Sequence, residues 1–207
     1  MKISKILLNR AFEYVILASK KYNIDESHSI KHSLEVLNYA NLIYESEIIT
    51  NKHIIDHHDI ICTASILHDM CDKKYMDENL GISEIKSYMK DHINSDKLET
   101  VCNIIQTMSY SKVMTNGYPD LGEYQLSYHI VREADLLAAY DIDRCIIYGL
   151  MVEKLSYIDS LIRSKELFNY RILKYIENDL YQTEYAKELA INLHNQSLLR
   201  INKLKMD

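Results

Sequence analysis

Three short stretches hold residue types that could do chemistry together: His28-Ser-Ile-Lys-His32, Ile66-Leu67-His68-Asp69 and Glu133-Ala134-Asp135. His68-Asp69 ends the apolar run Ile60 to Leu67, so a buried helix carries an imidazole and a carboxylate into the interior, where charge needs a partner. A divalent metal is an economical partner, because neutral imidazole and carboxylate are among its preferred ligands. A second pair, His58-Asp59, lies at the polar start of the same run. There the acid favours the helix dipole and both groups can stay wet, which is a structural role. Asp135 adjoins the apolar run Leu136 to Ala139, on a helix too apolar for an unpaired carboxylate. His32, near Leu34 and Leu37, reads on its own as a hydrogen-bonded core histidine. Beside the other three groups it becomes a candidate ligand. His53 and His57 have the spacing of a zinc pair, but Ile54 stands where H-E-x-x-H needs its glutamate, which excludes a metalloprotease.

The elements that position these groups are helices. The 207 residues contain four Gly and one Pro, and Gly117, Pro119 and Gly122 crowd one segment. The rest lacks the turn punctuation of a β or alternating αβ chain, so the sequence predicts an all-α, compact helical bundle. Amphipathic segments run from Ser4 to Tyr22 (Ile6, Phe12, Ile16 and Leu17 inward) and from Ser29 to Glu45 (Leu34, Leu37, Ala40 and Leu42 inward). Asp56 to Asp69 is apolar on most sides, as a central helix would be. Ser83–Lys90, Lys97–Met108, Glu123–Tyr140, Asp143–Leu155, Asp159–Asn178 and Glu184–Leu204 complete the set. Ser109 to Gly122 is expected to be a long irregular loop that closes over a substrate. The whole reads as one domain, 1–207, with a core at about 25–150 and a C-terminal helical extension over 151–207.

Twenty-four basic and 30 acidic side chains give a net charge of −6, which opposes duplex nucleic-acid binding. No 18-residue apolar run exists and Ile6-Leu7-Leu8 is cut off by Asn9-Arg10, so neither a membrane span nor a signal peptide is expected and a cytoplasmic protein is. Cys62, Cys71, Cys102 and Cys145 are scattered in apolar context and expected to be reduced. The seventeen tyrosines, spread over every segment, are expected to pack rather than to form a base-stacking platform.

The order His32, His68-Asp69, Asp135 resembles the H…HD…D pattern of the HD-domain metal-dependent phosphohydrolases. Ala64-Ser-Ile-Leu-His68-Asp69-Met-Cys-Asp72-Lys-Lys74 and Val131-Arg132-Glu-Ala-Asp135 look like the small members that resemble bacterial nucleotide pyrophosphohydrolases, over roughly Asp25 to Leu150. His28-Ser29 stands where family members commonly have His-Asp, and Leu136 where they have Arg. The resemblance implies an HD-domain fold and one divalent ion (Mn, Mg or Fe, with Ni, Co or Zn as purified) on His32, His68, Asp69 and Asp135. It also implies a metal-activated water attacking phosphorus in a small nucleotide or related phosphoester. On that reading Asp72 aligns or deprotonates the water, Lys74 balances charge on the phosphate, and His28, Lys74 and Arg132 bind substrate. A homodimer is left open. The alternatives are a dinuclear-iron HD oxygenase, for which His92 is a candidate extra ligand, and a non-catalytic HD nucleotide-binding module.

Overall fold

The computed structural model describes residues 5–204, and among them there are ten α-helices and no strand. Helix α1 (Lys5–Tyr22) and α2 (Ile30–Glu47) lead through a 3-10 turn at Lys52–His57 into α3 (His58–Leu67). Then come α4 (Glu78–Met89), α5 (Ser95–Thr107), α6 (Tyr110–Asn116) and α7 (Gln125–Ala138). The chain closes with α8 (Ile142–Met151), α9 (Tyr157–Tyr170), a 3-10 turn at Ile172–Lys174, and α10 (Glu184–Lys203). Polar caps set several starts: Asp77 accepts from Leu80 N, Asn94 from Asp96 N, Asp141 from Asp143 N and Ser156 from Asp159 N.

Helix α3 is buried at every position from Ile60 to Leu67 and packs against α1, α2, α5 and α7. It is the central helix that its apolar sequence predicts. Helices α2 and α7 pack together over it, α10 lies on both, and α8 with α9 forms a hairpin at one side. Side chains of α9 and α10, among them Leu161, Phe168, Ala186 and Ala190, belong to the same hydrophobic cluster as the rest. No described helix is long and apolar enough to cross a membrane.

The inward faces of α1 and α2 differ from expectation. Ile6, Ile16 and Leu17 are half or more exposed, while Leu7, Ala11, Tyr14, Val15 and Ala18 face the core. The alanines let α3 approach closely, so small residues rather than the largest aliphatics choose the face. The expected start at Ser4 lies outside the described residues. In α2, Leu34 is exposed, and His32, Ser33, Val36, Ala40 and Ile43 turn inward. Ser109 to Gly122 is not an irregular loop throughout, since its first half is α6, ended by Gly117 at φ 75°. The expected helix Asp159–Asn178 stops at Tyr170, because Arg171 leaves helical geometry (φ −128°, ψ −64°) and the chain then turns Ile172, Leu173 and Tyr175 inward.

Candidate metal centre

The last turn of α3 and the first turn of α2 bring His68 and His32 edge to edge, their Nε2 atoms 3.0 Å apart. Asp69 Oδ2 lies 3.3 Å from both of these nitrogens. From α7, Asp135 Oδ1 lies 3.3 Å from His32 Nε2 and 3.5 Å from His68 Nε2. His32, His68 and Asp135 thus bring three donor atoms within 4.8 Å of one another, and Asp69 Oδ2 lies beside the two nitrogens. His32 and His68 are almost wholly buried, while the Asp69 and Asp135 side chains keep 14% and 28% exposure.

The chemistry of the donor set fits a divalent ion. Ligands about 2.1 Å from an ion lie about 3.0 Å apart at right angles and about 3.4 Å apart at tetrahedral angles. The separations from the two nitrogens, 3.0 to 3.5 Å, span that interval, and His32, His68 and Asp135 make up the group whose donor atoms all lie within 4.8 Å of one another. Tautomers agree as well. His68 Nδ1 sits 2.9 Å from the Ser65 carbonyl oxygen, which can only accept, so Nδ1 carries the hydrogen and a neutral ring presents the Nε2 lone pair to the cluster. Asp69 Oδ2 is buried without a hydrogen-bond partner among the described residues, the condition that a cation relieves. With protein groups alone, burial opposes an imidazolium at His68, but the Asp69 and Asp135 carboxylates outweigh it and raise its pKa well above the ordinary value. Burial likewise opposes ionisation of Asp69 and Asp135, and the two imidazoles hold both well below the usual carboxylate range.

After α3 the chain turns tightly, with Asp72 N donating to Asp69 O, and this places Asp72 and Lys74 beside the cluster. Asp72 Oδ1 accepts from Lys74 N at 2.9 Å, and Asp72 Oδ2 lies 3.3 Å from Lys74 Nζ. His28, on the turn before α2, is held from behind. Its Nδ1 is 2.6 Å from Ser27 Oγ and 3.1 Å from Tyr75 Oη. Tyr75 donates to Asp25, so its oxygen is free to accept from His28 Nδ1 and leaves Nε2 facing Lys74 Nζ at 3.4 Å. Burial pushes the His28 imidazole pKa down.

Two adjoining hollows of about 180 and 300 Å³ share Asp69, Asp72, Lys74, Ser109, Tyr110, Asp135 and Arg171, and together make one cleft over the cluster. The structure therefore brings His32, His68, Asp69, Asp135, Asp72, Lys74 and His28 to one place. Arg132 is corrected: it is 1% exposed, donates to the Leu180 carbonyl at 2.7 Å and stacks on Tyr118. Three residues before Asp135 on α7, it points to α10's side of the helix rather than into the cleft. His92 is also elsewhere, accepting from Arg10 Nε at 3.0 Å. Of the Ser109 to Gly122 segment, Ser109, Tyr110, Ser111 and Lys112 line the cleft, while Tyr118 packs on Arg132 and His129.

The sequence reading missed Arg144, Tyr148, Arg163 and Arg171, all of which line the cleft. Arg144 donates to the Ser27 carbonyl at 2.5 Å and reaches within 3.9 Å of Asp69 Oδ2. The Tyr148 ring meets the Lys74 ammonium at 5.5 Å and the Arg163 guanidinium at 5.1 Å. No local pattern in α8 or α9 marks these residues. Asp25, three residues before His28, was also missed; it accepts from Tyr75 and lies 3.9 Å from His28 Nδ1. All four cysteines are free; burial raises the thiols of Cys62 and Cys71 to about 12 and those of Cys102 and Cys145 to about 11.

Neither a family model nor a curated protein matches the chain. A crystal structure from Lactobacillus plantarum, solved as a structural-genomics target, superposes with a TM-score of 0.73 at 18% identity, over 98% of this chain and 96% of its own. At that identity the likeness establishes the shared helical fold.

Proposed function

We propose that the chain is an HD-type, divalent-metal-dependent phosphohydrolase that acts on a small phosphorylated substrate, by resemblance a nucleotide. The observation that carries this reading is the cluster of His32, His68, Asp69 and Asp135, of which the last three line a cleft whose walls hold Lys74, Arg144, Arg163 and Arg171. In a chain of net charge −6, that concentration of cations favours an anionic ligand.

An ion on the four donors would supply Lewis-acid charge and a water acidic enough to attack near neutral pH. The protein's own groups do the rest. Asp72, on the turn past His68, is placed to orient that water and accept its proton. Lys74 and Arg144 face the phosphate oxygens and offset the charge that grows on them. His28, its Nδ1 tied to Tyr75 and Ser27, presents Nε2 to the same space. Metal analysis of the purified protein, followed by a nucleotide panel with Mn²⁺, Mg²⁺ or Fe²⁺, tests the proposal. Stoichiometric metal and turnover that both vanish in Asp69→Asn are expected; a metal-free chain without metal-dependent turnover would defeat it.

A further inference from the structure

Lys74 and Tyr75, consecutive residues of the turn after α3, meet the His28 imidazole at its two nitrogens. Lys74 Nζ lies 3.4 Å from Nε2, and Tyr75 Oη lies 3.1 Å from Nδ1. Behind Tyr75 stands Asp25, whose side chain is 6% exposed. Its carboxylate accepts from Tyr75 Oη at 2.5 Å and from Ser27 N at 2.9 Å. Four groups therefore run in line from a buried acid to an ammonium in the cleft wall.

The two ends of this line decide where every hydrogen sits, because a carboxylate only accepts and an ammonium only donates. Tyr75 gives its hydrogen to Asp25 and accepts from His28 Nδ1, so the ring offers the Nε2 lone pair to Lys74. The opposite tautomer would set an N–H against the ammonium. Ser27 Oγ, 2.6 Å from Nδ1, can accept from the same ring hydrogen. The Tyr148 ring flanks the imidazole, with ring centres 5.6 Å apart. Lys74 Nζ also lies 3.3 Å from Asp72 Oδ2, longer than the roughly 2.7 to 2.9 Å of a closed ammonium–carboxylate pair. The ammonium stands between two acceptors rather than closed on one.

We propose that Asp25 and Tyr75 are positioning residues that act through His28 on Lys74. They fix the imidazole as an acceptor toward the cleft and draw the ammonium away from Asp72, so that Lys74 meets the substrate anion and the Asp72 carboxylate is left to a water. The task given to Lys74 and Asp72 rests on the reaction proposed above, whereas the order of hydrogens along the line stands without it. Asp25→Asn should reverse that order. With its oxygen on Ser27 N, the amide donates to Tyr75 Oη, the hydroxyl hydrogen turns to His28 Nδ1, and the ring hydrogen moves to Nε2, against Lys74.

The test joins nitrogen NMR of the imidazoles to calorimetric titration of orthophosphate, both on the purified chain with Mg²⁺ as its only divalent ion. The pH is set well above the ordinary histidine pKa of about 6.5, and the His28 signals are assigned by their loss in His28→Gln. The hydrogen is expected on Nδ1 in the parent protein and on Nε2 in Asp25→Asn. Lys74→Ala should weaken orthophosphate about tenfold, the worth of one hydrogen-bonded charge contact. Asp25→Asn should weaken it several-fold, and the double variant should bind no more weakly than Lys74→Ala alone, because both act at one ammonium. Tyr75→Phe, which removes a single hydroxyl, should show the same non-additivity and serves where Asp25→Asn unfolds. A parent His28 with its hydrogen on Nε2, an affinity that neither Asp25→Asn nor Tyr75→Phe changes, or losses that add in full to that of Lys74→Ala would overturn the proposal. Absence of metal-dependent turnover would defeat the reaction instead, and the His28 tautomer with its dependence on Asp25 would still be read.

Discussion

The two ends of α3 carry the same dipeptide in opposite circumstances. At the start, His58 stacks on Tyr44 with ring centres 4.3 Å apart and bonds Asn41 Oδ1 at 3.0 Å. Asp59 receives Lys97 Nζ at 2.8 and 3.0 Å and also the Ile60 amide. Every strong polar need there is met by a neighbour. At the far end His68 and Asp69 meet a second histidine and a second carboxylate, and Asp69 Oδ2 has no hydrogen-bond donor among the described residues. Residue type does not separate the two pairs; satisfaction does. Helix α7 repeats the contrast within one turn. Glu133 accepts from Gln182 N, Thr183 N and Thr183 Oγ and so ties α7 to the start of α10, whereas Asp135, two residues on, faces only the histidine pair.

The most damaging way to probe this contrast is Asp69→Asn. It keeps the shape and removes one negative donor, so metal affinity should fall more than about 100-fold, beyond the usual loss for a supporting partner of a ligand. Metal-dependent turnover should fall with it. Metal analysis after dialysis, beside kinetics at saturating metal, reads both. An Asp69→Asn protein with full occupancy would remove the distinction between the two ends of α3.

A narrower cut leaves the four donors alone. Asp72→Asn should retain the metal yet lower kcat by about 10²- to 10⁴-fold, the range for loss of a positioned general base. Lys74→Ala should chiefly raise KM for the anionic substrate. If both substitutions were near-silent, Asp72 and Lys74 would be a solvated ion pair worth about 0 to 1 kcal/mol.

Which parts of this were readable beforehand follows from the range of the interactions involved. A His-Asp pair at the end of the largely apolar run Ile60 to Leu67 announces its burial within one helix, so His68-Asp69 and, through the apolar neighbours of Asp135, the third ligand could be read locally. The all-α class was equally local, since scarce Gly and Pro leave little else. The cleft walls were not readable, because Arg144, Arg163 and Arg171 become site residues only once α8 and α9 pack together beside the cleft. Arg132 failed for the complementary reason: closeness in sequence to Asp135 says nothing of which way a side chain leaves the helix. The faces of α1 and α2 were misjudged because close helix approach rewards alanine and serine, which a hydrophobicity pattern undervalues.

A pH titration separates the two acid environments on α7 and at the end of α3 by direction. Burial raises Glu133 to about 7 despite the donors from Gln182 and Thr183. Its folded pKa exceeds the unfolded value of about 4.3, so the folded state holds the extra proton between the two values and stability falls as pH rises from about 4.3 to about 7. His68 is also raised, so its share of stability is present below about 6.5 and is lost as pH climbs through its folded value. Asp69 and Asp135 are lowered, so their share is present above about 3.9 and is lost as pH falls through their folded values. Melting temperature of the chelated chain should therefore decline between about pH 4.3 and 7 through Glu133 and from about pH 6.5 upward through His68, and a bound divalent ion, which replaces the proton at the cluster, should flatten the part due to His68. Glu133→Gln should flatten the remainder. A metal-loaded protein whose melting curve declines with pH as steeply as the chelated one would mean that no ion substitutes for that proton.

The smallest expected effect belongs to the satisfied end of α3. Asp59→Asn removes the ion pair with Lys97, whose two side chains are 27% and 19% exposed, and an amide oxygen can still accept from the Ile60 amide at the start of the helix. Partly exposed pairs of this kind contribute about 0 to 1 kcal/mol, and loss of negative charge near a helix start adds a few tenths to about 1 kcal/mol. A destabilisation of about 1 kcal/mol in denaturant melts, with metal content and kcat unchanged, is the outcome the contrast requires. His58→Ala should behave alike through lost stacking on Tyr44. If either substitution stripped metal from the protein, the start of α3 would have to be coupled to the cluster at its other end, and satisfaction of polar groups would no longer tell a structural His-Asp pair from a functional one.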